Sequence, residues 1–260
     1  RWLHSLYRRL MLGLNNALTS NVSNSGAYVN KYSVDFDGSN DFLSVADDNS
    51  LDFTAGFSVS FWVYPDAADA NDRMVAKGTT GAGEWMISFG GSSAIRVYTK
   101  DDEGNALDFT STNTLSTGAW AMVTVVINRT VGKIQVYKNG GNLNQSSAAS
   151  WAAGWANSQA LRIGLNSSGS NEFEGQISEV AIWNDELKAA EVTSLYGNGA
   201  PSFNLNYNSG SYDSSSDLVG YWRMGDGVND AHPTIYDQSS NTNNATMTNM
   251  DAEDIVLSAP

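Results

Sequence analysis

Short segments in which every second residue is apolar constrain this chain more than any other feature of its sequence. In residues 57–63, Phe or Val occupies every second position. Because successive side chains of a β-strand point to opposite faces, this period of two predicts a strand with one face in a core. Such segments recur from residue 31 onward, separated by turn signals such as Asn139-Gly140. The pattern predicts an all-β protein, an antiparallel sandwich or jelly roll.

Composition excludes several classes of protein. The 260 residues carry 14 Lys+Arg against 28 Asp+Glu, and the net charge of -14 would repel a phosphate backbone, so we expect no nucleic-acid partner. The absence of cysteine excludes disulfides, thiolate metal sites and cysteine nucleophiles. His4 and His232 are the only histidines, which excludes a multi-histidine metal centre. No apolar run approaches the ~20 residues that span a bilayer, so we expect no membrane insertion.

The first 30 residues differ from the rest of the chain in charge and periodicity. Residues 1–34 carry four basic side chains and no acid, whereas residues 35–260 carry ten basic side chains against 28 acids. Leucine and tyrosine recur at helical spacing, which predicts a basic amphipathic N-terminal α-helix of about 12 to 16 residues. We expect residues 1–20 to dock onto a partner protein or another copy of the chain. The alternatives are a helix packed on its own domain, or a signal peptide.

A second helix is predicted near residue 190. Asn184-Asp185 is a candidate N-terminal cap, the segment 186–196 has helix-forming residues, and Gly197 is a candidate stop. The polar residues 198–217 that follow indicate a long surface connection. Strand character then returns in residues 218–224.

Seven motifs follow one another in a particular order along the chain. They occupy residues 34–45, 57–63, 118–125, 136–140, 161–164, 173–183 and 186–196. In this order they resemble the laminin G-like, concanavalin A-like lectin/glucanase family, in its bacterial and viral jelly-roll form. The resemblance implies an all-β antiparallel β-sandwich (concanavalin A-like/laminin G-like jelly roll) over residues 31–260. The short N-terminal α-helix and its linker would form residues 1–30.

The C-terminal residues resemble a part of the family that normally comes first. Residues 220–227 and 237–247 are similar to the segment that usually precedes the opening strand. Their place at the end of the chain predicts that residues 218–260 form a permuted closing strand segment of the sandwich. The alternative is the beginning of a second module. The sequences of residues 222–227 and 246–250 are also similar to segments of structural proteins of marine tailed phages.

Calcium is the cofactor that the resemblance implies, because this hard cation binds carboxylate, amide and backbone oxygens of loops. Asp237, Asn241 and Asn243 match the family's loop, and Ser178 and Glu179 stand where a partner acid is expected. Ser178 replaces the usual aspartate, which would weaken a site. In the alternative, these side chains only cap their own turns.

Aromatic residues are the candidate glycan-binding groups, because exposed rings stack on sugar rings as on other apolar planes. Trp151 and Trp155 stand in a Ser/Ala-rich stretch, and Tyr207 and Tyr212 stand in the polar connection. The alternative is that these rings pack over an edge of the sandwich.

Catalysis is not expected, although the wider superfamily includes glycosidases and lyases. Retaining glycosidases need two carboxylates about 5 Å apart, and Glu172 and Glu174 are the one candidate pair in the sequence. The catalytic motifs of the family are absent, so we do not expect an enzyme.

The resemblance as a whole predicts a noncatalytic component of a bacteriophage virion. This would be a capsid decoration, fibre or tail surface protein that contacts other virion proteins or copies of itself through residues 1–20 and binds a cell-surface glycan of the host. The location would be the virion surface. The alternative is a secreted, extracellular carbohydrate-binding or adhesion module of a marine bacterium.

Overall fold

The structure is a computed structural model that describes residues 28–78, 81–165 and 169–260. This part of the chain forms sixteen β-strands and one α-helix, α1 (Ala189–Tyr196). In chain order the strands are β1 (Ser33–Asp37), β2 (Phe42–Val45), β3 (Phe57–Pro65), β4 (Arg73–Lys77), β5 (Glu84–Phe89), β6 (Ala94–Lys100), β7 (Ala106–Thr114), β8 (Ala121–Asn128), β9 (Lys133–Lys138), β10 (Gly141–Gln145), β11 (Leu161–Ile163), β12 (Glu174–Trp183), β13 (Leu218–Trp222), β14 (Thr234–Ile235), β15 (Ala245–Thr248) and β16 (Ile255–Val256).

The strands form two antiparallel sheets of eight. The first sheet has the order β10-β9-β8-β3-β12-β1-β16, and β13 also pairs with β12. The second has the order β14-β15-β2-β11-β4-β5-β6-β7. The predicted all-β antiparallel sandwich is thereby confirmed. The N-terminal helix predicted within residues 1–20 lies outside the described residues, and the helix that the structure does show, α1, lies in the C-terminal half.

A core lies between the sheets and consists of the alternating apolar residues. The Phe and Val residues at every second position of β3 point into it and are at most 1% exposed. The same alternation fills the core from β8 and β9 with Val123, Val125, Ile127, Ile134 and Val136. The period of two that predicts these strands therefore also predicts their core faces.

The opposite face of the first sheet is buried as well, because α1 and the connection after it cover that face. This second cluster comprises Trp62, Met122, Val126, Tyr137, Ala181, Trp183, Leu187, Val192, Leu195, Leu205, Tyr212, Leu218 and Tyr221. The prediction that residues 198–217 form a surface connection was therefore wrong in part. Their apolar side chains, such as Leu205 and Tyr212, pack on the sheet because they would otherwise leave an apolar face in water.

Helix α1 begins later than predicted and ends where predicted. Ser58 of β3 accepts a hydrogen bond from the Leu187 amide (2.9 Å) and donates one to the Asp185 carbonyl (2.7 Å), which holds these residues against the sheet. The first helical residue is therefore Ala189, after Lys188. The left-handed conformation of Gly197 (φ 56°) ends the helix, as its sequence position predicts.

Strand β12 contains a bulge at its middle. Ser178 pairs with Trp62 of β3 and Ala181 with Ser60, so two residues of β12 lie opposite one residue of β3 between these pairs. Glu179 lies in the bulge with φ 51°, a left-handed conformation that is rare for residues other than glycine. The extra residue changes which side chains of β12 face the core.

The C-terminal residues contribute strands to both sheets. Strand β13 pairs with Val180–Trp183 of β12, next to the place where β1 pairs with the first half of the same strand. Strand β15 pairs with β2, and β16 pairs with β1. Whether residues 218–260 correspond to a permuted family segment stays a prediction. In the part of the chain that the structure describes, no helix is long and apolar enough to cross a bilayer.

Candidate functional site

The outer face of the second sheet carries a continuous row of side chains. Arg162 of β11 lies between Ser44 of β2 and Ala76 of β4, and the row continues through Met86 of β5 to Tyr98 of β6. Residues that pair directly across antiparallel strands share a face. Ala76 and Met86 point away from the core and are nevertheless buried. The middle of this outer face is therefore recessed below its surroundings.

A second row on the same face is polar and buried. Ser88 of β5 pairs with Arg73 on one side and Arg96 on the other; Arg73 is 9% and Ser88 1% exposed. Among the described residues, Arg73 Nε, Ser88 Oγ and Glu84 Oε2 have no hydrogen-bond partner. Each unpaired buried polar atom costs about 1–3 kcal/mol. With Arg162 Nε, four such atoms of the described residues lie on this face, where a ligand can pair with them.

An ion pair and a hydrogen bond hold Arg96 at the edge of this row. Arg96 donates two hydrogen bonds to Asp108, from Nε (2.8 Å) and from the guanidinium end (2.6 Å), and a third of 2.7 Å to the Asn71 side chain. The carboxylate beside it raises the pKa of Arg96. This bidentate geometry holds the side chain in one orientation.

A pocket of about 320 Å³ opens at the Arg73 end of the face. It is lined by Ser39, Asn40, Phe42, Arg162, Leu165, Gly169, Glu172 and Asn249. The Arg162 guanidinium carbon lies 4.2 Å from the centre of the Phe42 ring, a cation–π contact. The Asn249 side chain donates a 2.9 Å hydrogen bond to the Asn40 carbonyl, which ties two walls together. We call this the Phe42–Arg162 pocket; its volume lies within the range of about 300–1,000 Å³ typical of ligand pockets.

A turn that needs glycine places the loop on one side of this pocket. Gly164 follows β11 with φ +90°, and a Cβ atom there would lie 2.4 Å from the Phe36 ring. Only glycine fits this close approach, so the chain can turn directly after Ile163, the last residue of β11. A second pocket of about 180 Å³, lined by Glu84, Asn157 and Gln159 among others, lies at the opposite end of β4.

The five predicted calcium ligands do not come together as one set. Asp237 Oδ1 accepts the amides of Tyr221 and Ser239, and Oδ2 accepts the Ser239 hydroxyl and the Asn243 amide, all at 2.8 Å. Because a carboxylate has about four acceptor positions, these bonds occupy all of them. The side-chain amides of Asn241 and Asn243 each donate a 3.1 Å hydrogen bond to the Val219 carbonyl.

The other two predicted ligands belong to a separate cluster. The Glu179 carboxylate accepts hydrogen bonds from the hydroxyls of Tyr28 and Tyr221 and pairs with Arg223 Nε at 3.1 Å. Ser178 Oγ donates to the Tyr32 carbonyl at 3.1 Å. Burial raises the pKa of Glu179, and the Arg223 charge opposes that shift.

These contacts do not fit a calcium ion. Arg223 already supplies the positive charge at Glu179, and a second cation there would be repelled. In the described ranges, no group of three or more His, Cys, Asp or Glu side chains has the geometry to hold a metal. The Asp237 loop acts as a set of hydrogen-bonded turns, which was the alternative interpretation of its sequence.

Three of the four aromatic residues predicted to bind a glycan are part of the interior. Trp155 and Tyr212 are fully buried, and Trp151 is 8% exposed and packs edge-on against Trp155. Their prediction as glycan-binding residues was wrong, because a buried ring has no face for a sugar. Tyr207 is 63% exposed, and its role stays a prediction.

Sequence reasoning missed the residues of the outer face. A signal was present, since Arg162 and Arg96 each stand between two apolar residues of a short strand. The period of two places both on the face opposite the core. The sequence did not show that this face is recessed, because the recess is formed by segments distant in the chain.

Comparison with known proteins agrees with the architecture. The family model Laminin_G_3, described as the concanavalin A-like lectin/glucanases superfamily, matches residues 37–193, more than half of the chain. Among curated proteins, none matches this chain.

Solved structures of low sequence identity share the fold. A Bacteroides ovatus protein with a provisional carbohydrate-binding assignment has 20% identity and a TM-score of 0.66, and the match covers 89% of this chain and 60% of that protein. The heptameric SAP-like pentraxin of Limulus polyphemus has 13% identity and a TM-score of 0.53, with coverages of 78% and 95%. Domain 4 of AbnA, an extracellular arabinanase of Geobacillus stearothermophilus solved with arabinotriose, has 19% identity and a TM-score of 0.50, with coverages of 63% and 76%.

The chain spans 60% of the length of the Bacteroides protein, and the three structures are too distant to show more than the fold. The family match over residues 37–193 and the two antiparallel sheets point to the same assignment. The chain belongs to the laminin G-like family of the concanavalin A-like lectin/glucanases superfamily.

Proposed function

We propose that this chain is a noncatalytic module that binds an extended glycan across the outer face of its second sheet. The observation that carries the proposal is the recessed polar face, where Arg73, Ser88 and Glu84 are buried with unpaired atoms. Sugar-binding surfaces need polar groups held in fixed positions beside apolar ones. Phe42, at the edge of the Phe42–Arg162 pocket, supplies an apolar contact on this face.

The spacing of the two pockets suits a chain of several sugar units. They lie at opposite ends of β4, a strand of five residues and therefore about 17 Å long. A ligand that spans them would cross the recess above Ala76. The descriptions of the Bacteroides protein and of the arabinanase domain with its bound arabinotriose support a carbohydrate ligand for this fold.

Electrophoresis through gels that contain single polysaccharides tests this proposal. We expect at least one polysaccharide of a broad marine and plant panel to retard the protein. Phe42→Ala should weaken that retardation, because it removes the ring under Arg162. Tyr207→Ala is the matched control, since it removes an exposed ring away from the face. If only the Tyr207 variant lost binding, the site would lie in the connection after α1, residues 198–217, and not on the outer face.

The absence of catalysis is part of the same proposal. Glu172 lines the Phe42–Arg162 pocket, whereas Glu174 is exposed at the beginning of β12. Prolonged incubation with each polysaccharide of the panel should release no reducing ends and no unsaturated products. Either product would overturn the noncatalytic part of the proposal.

For the biological setting, we propose the surface of a bacteriophage virion, with a secreted bacterial module as the alternative. The support is the resemblance of residues 222–227 and 246–250 to phage structural proteins. Attachment through residues 1–20 belongs to this proposal and lies outside the described residues. Purified particles that contain the protein at a fixed copy number would support it, and a protein found only free in the medium would contradict it.

A further inference from the structure

Arg162 is the arginine whose position is least explained by the fold. In the described ranges, its guanidinium donates no hydrogen bond, and its Nε is buried without a partner. Arg73, Arg96, Arg129 and Arg223 each donate to a carbonyl or a carboxylate. Within the described residues, Arg162 therefore presents a partly buried guanidinium whose donors are available to a ligand.

The contact with Phe42 determines how those donors are presented. The aromatic ring covers one face of the guanidinium at 4.2 Å. A guanidinium donates in its plane, so its N–H groups remain free at the edge while the ring keeps the plane in place. This arrangement matches a planar acceptor with two oxygens, such as a carboxylate.

The electrostatic surroundings of Arg162 favour an anion. Burial lowers the pKa of its guanidinium, since the charged form is partly removed from water. No carboxylate of the described residues lies within 4.0 Å of it. Glu172 also lines the pocket, but it makes no ion pair with Arg162.

We propose that the Phe42–Arg162 pocket binds the carboxylate of a uronic acid residue in the glycan, through paired N–H···O bonds from Arg162. This inference rests on the proposed glycan-binding function and specifies its ligand class. A net charge of -14 opposes unspecific adsorption of an acidic polymer, so retention of such a polymer requires a local cationic site.

The test compares two polymers of the same sugar backbone, one with free carboxylates and one in which each carboxylate is a neutral methyl ester. Binding of polygalacturonate and of its fully methyl-esterified form is measured by isothermal titration calorimetry. Hydrogen bonds to charged groups contribute about 1.5–3 kcal/mol, so we expect the acid form to bind at least about tenfold more tightly. A sulfated galactan is included as a third polymer, because sulfate carries charge without the planar geometry.

Three variants identify the residue responsible. Arg162→Gln should lose the preference for the acid form and melt at nearly the wild-type temperature, because the Arg162 side chain makes no hydrogen bond to the described residues and loses only its contact with the Phe42 ring. Arg129→Gln is the matched control, since it removes an equal charge whose hydrogen bonds within the described residues go to the Thr54 and Ala152 carbonyls. Glu172→Gln should strengthen binding of the acid form, because it removes a like charge from the pocket.

The outcomes separate this inference from the proposed function. Equal affinity for both forms of the polymer would overturn the inference and leave glycan binding intact. Equal or tighter binding of the sulfated galactan would overturn the assignment of a carboxylate. An unchanged preference in Arg162→Gln would overturn the role of that residue. Binding to none of these polymers, or of the broader panel, would overturn both proposals.

Discussion

Glu179 shows how one residue can join three distant parts of the chain. Its carboxylate receives the hydroxyls of Tyr28 and Tyr221 and pairs with Arg223. Arg223 in turn lies 4.3 Å from the Tyr28 ring and donates to the Val29 carbonyl. The group thus fastens the residues before β1 and those after β13 to the bulge of β12.

Removing the Glu179 carboxylate should be strongly destabilising. Glu179→Ala leaves the Arg223 charge half-buried without its partner, and loss of one member of a buried pair costs about 3–5 kcal/mol. Urea denaturation measures the change in the free energy of unfolding. The double variant with Arg223→Ala should lose much less than the sum of the two single variants, because the interaction can be lost only once. Additive losses would contradict the pairing.

Asp237 should stabilise its loop without calcium. Asp237→Ala removes the acceptor of four hydrogen bonds, and we expect its melting temperature to fall by the same amount in calcium and in chelator. Differential scanning calorimetry of wild type and variant in both conditions measures this. A calcium-dependent rise in wild type that the variant loses would restore the calcium site predicted from the sequence.

At the scale of elements, the connection after α1 is part of the fold. Trp183 Nε1 donates to the Tyr212 hydroxyl (2.9 Å), which donates to the Leu205 carbonyl (2.8 Å). This chain of bonds fastens the connection to β12. The first sheet is covered on its outer face, whereas the second sheet has the two pockets at the ends of β4 as places that are open to a ligand.

Deleting residues 218–260 should disrupt the sandwich. Tyr221 and Trp222 of β13 are fully buried, and burial of each such ring is worth roughly 2–3 kcal/mol. The deletion also removes β15, the pairing partner of β2, and β16, the partner of β1. We expect aggregation or loss of cooperative melting. A truncated protein that melts cooperatively at an unchanged temperature would show that this segment is an independent appendage.

The elements also show why part of the structure could not be predicted. Strict alternation along β12 groups Ile177 with Glu179 and Ala181, but the bulge places Val180 and Ile182 in the core. A local period contains no information about an extra residue that only the neighbouring strand reveals. The burial of Trp155 depends likewise on Phe53 and Phe57, which come about 100 residues earlier. The strands and the end of α1 at Gly197 were predictable, because alternation of apolar residues and a glycine after a helical segment are signals within a few residues of the chain.

At the scale of the whole molecule, acidic side chains crowd parts of the surface. Asp41 and Asp72 each have a pKa raised to about 6, mainly by burial, with nearby Asp37 and Asp69 as further causes. The folded state therefore binds these protons more tightly than the unfolded chain. The stability that they contribute is complete at low pH and is lost as the pH rises through about 6.

We therefore expect the melting temperature to rise as the pH falls from about 8 to 5. Asp101 has the opposite effect on the pH dependence, because its pKa is lowered to about 2 and the stability that it contributes is lost as the pH falls. That loss occurs below about pH 5 and therefore does not affect the trend between about pH 8 and 5. Calorimetric scans at several pH values measure the trend. Asp72→Asn should flatten it, whereas Asp48→Asn should not, because Asp48 has a lowered pKa. A melting temperature that rises with pH would contradict this assignment.

The central claim is that the outer face of the second sheet binds a glycan, and a map of backbone amide shifts by NMR tests it most directly. The spectrum is recorded during titration with oligosaccharides of galacturonate and, separately, of arabinose. The account predicts that shifts from a binding oligosaccharide concentrate at Phe42, Ser44, Arg162 and Ser88. Shifts concentrated around Tyr207, or on the first sheet, would contradict it.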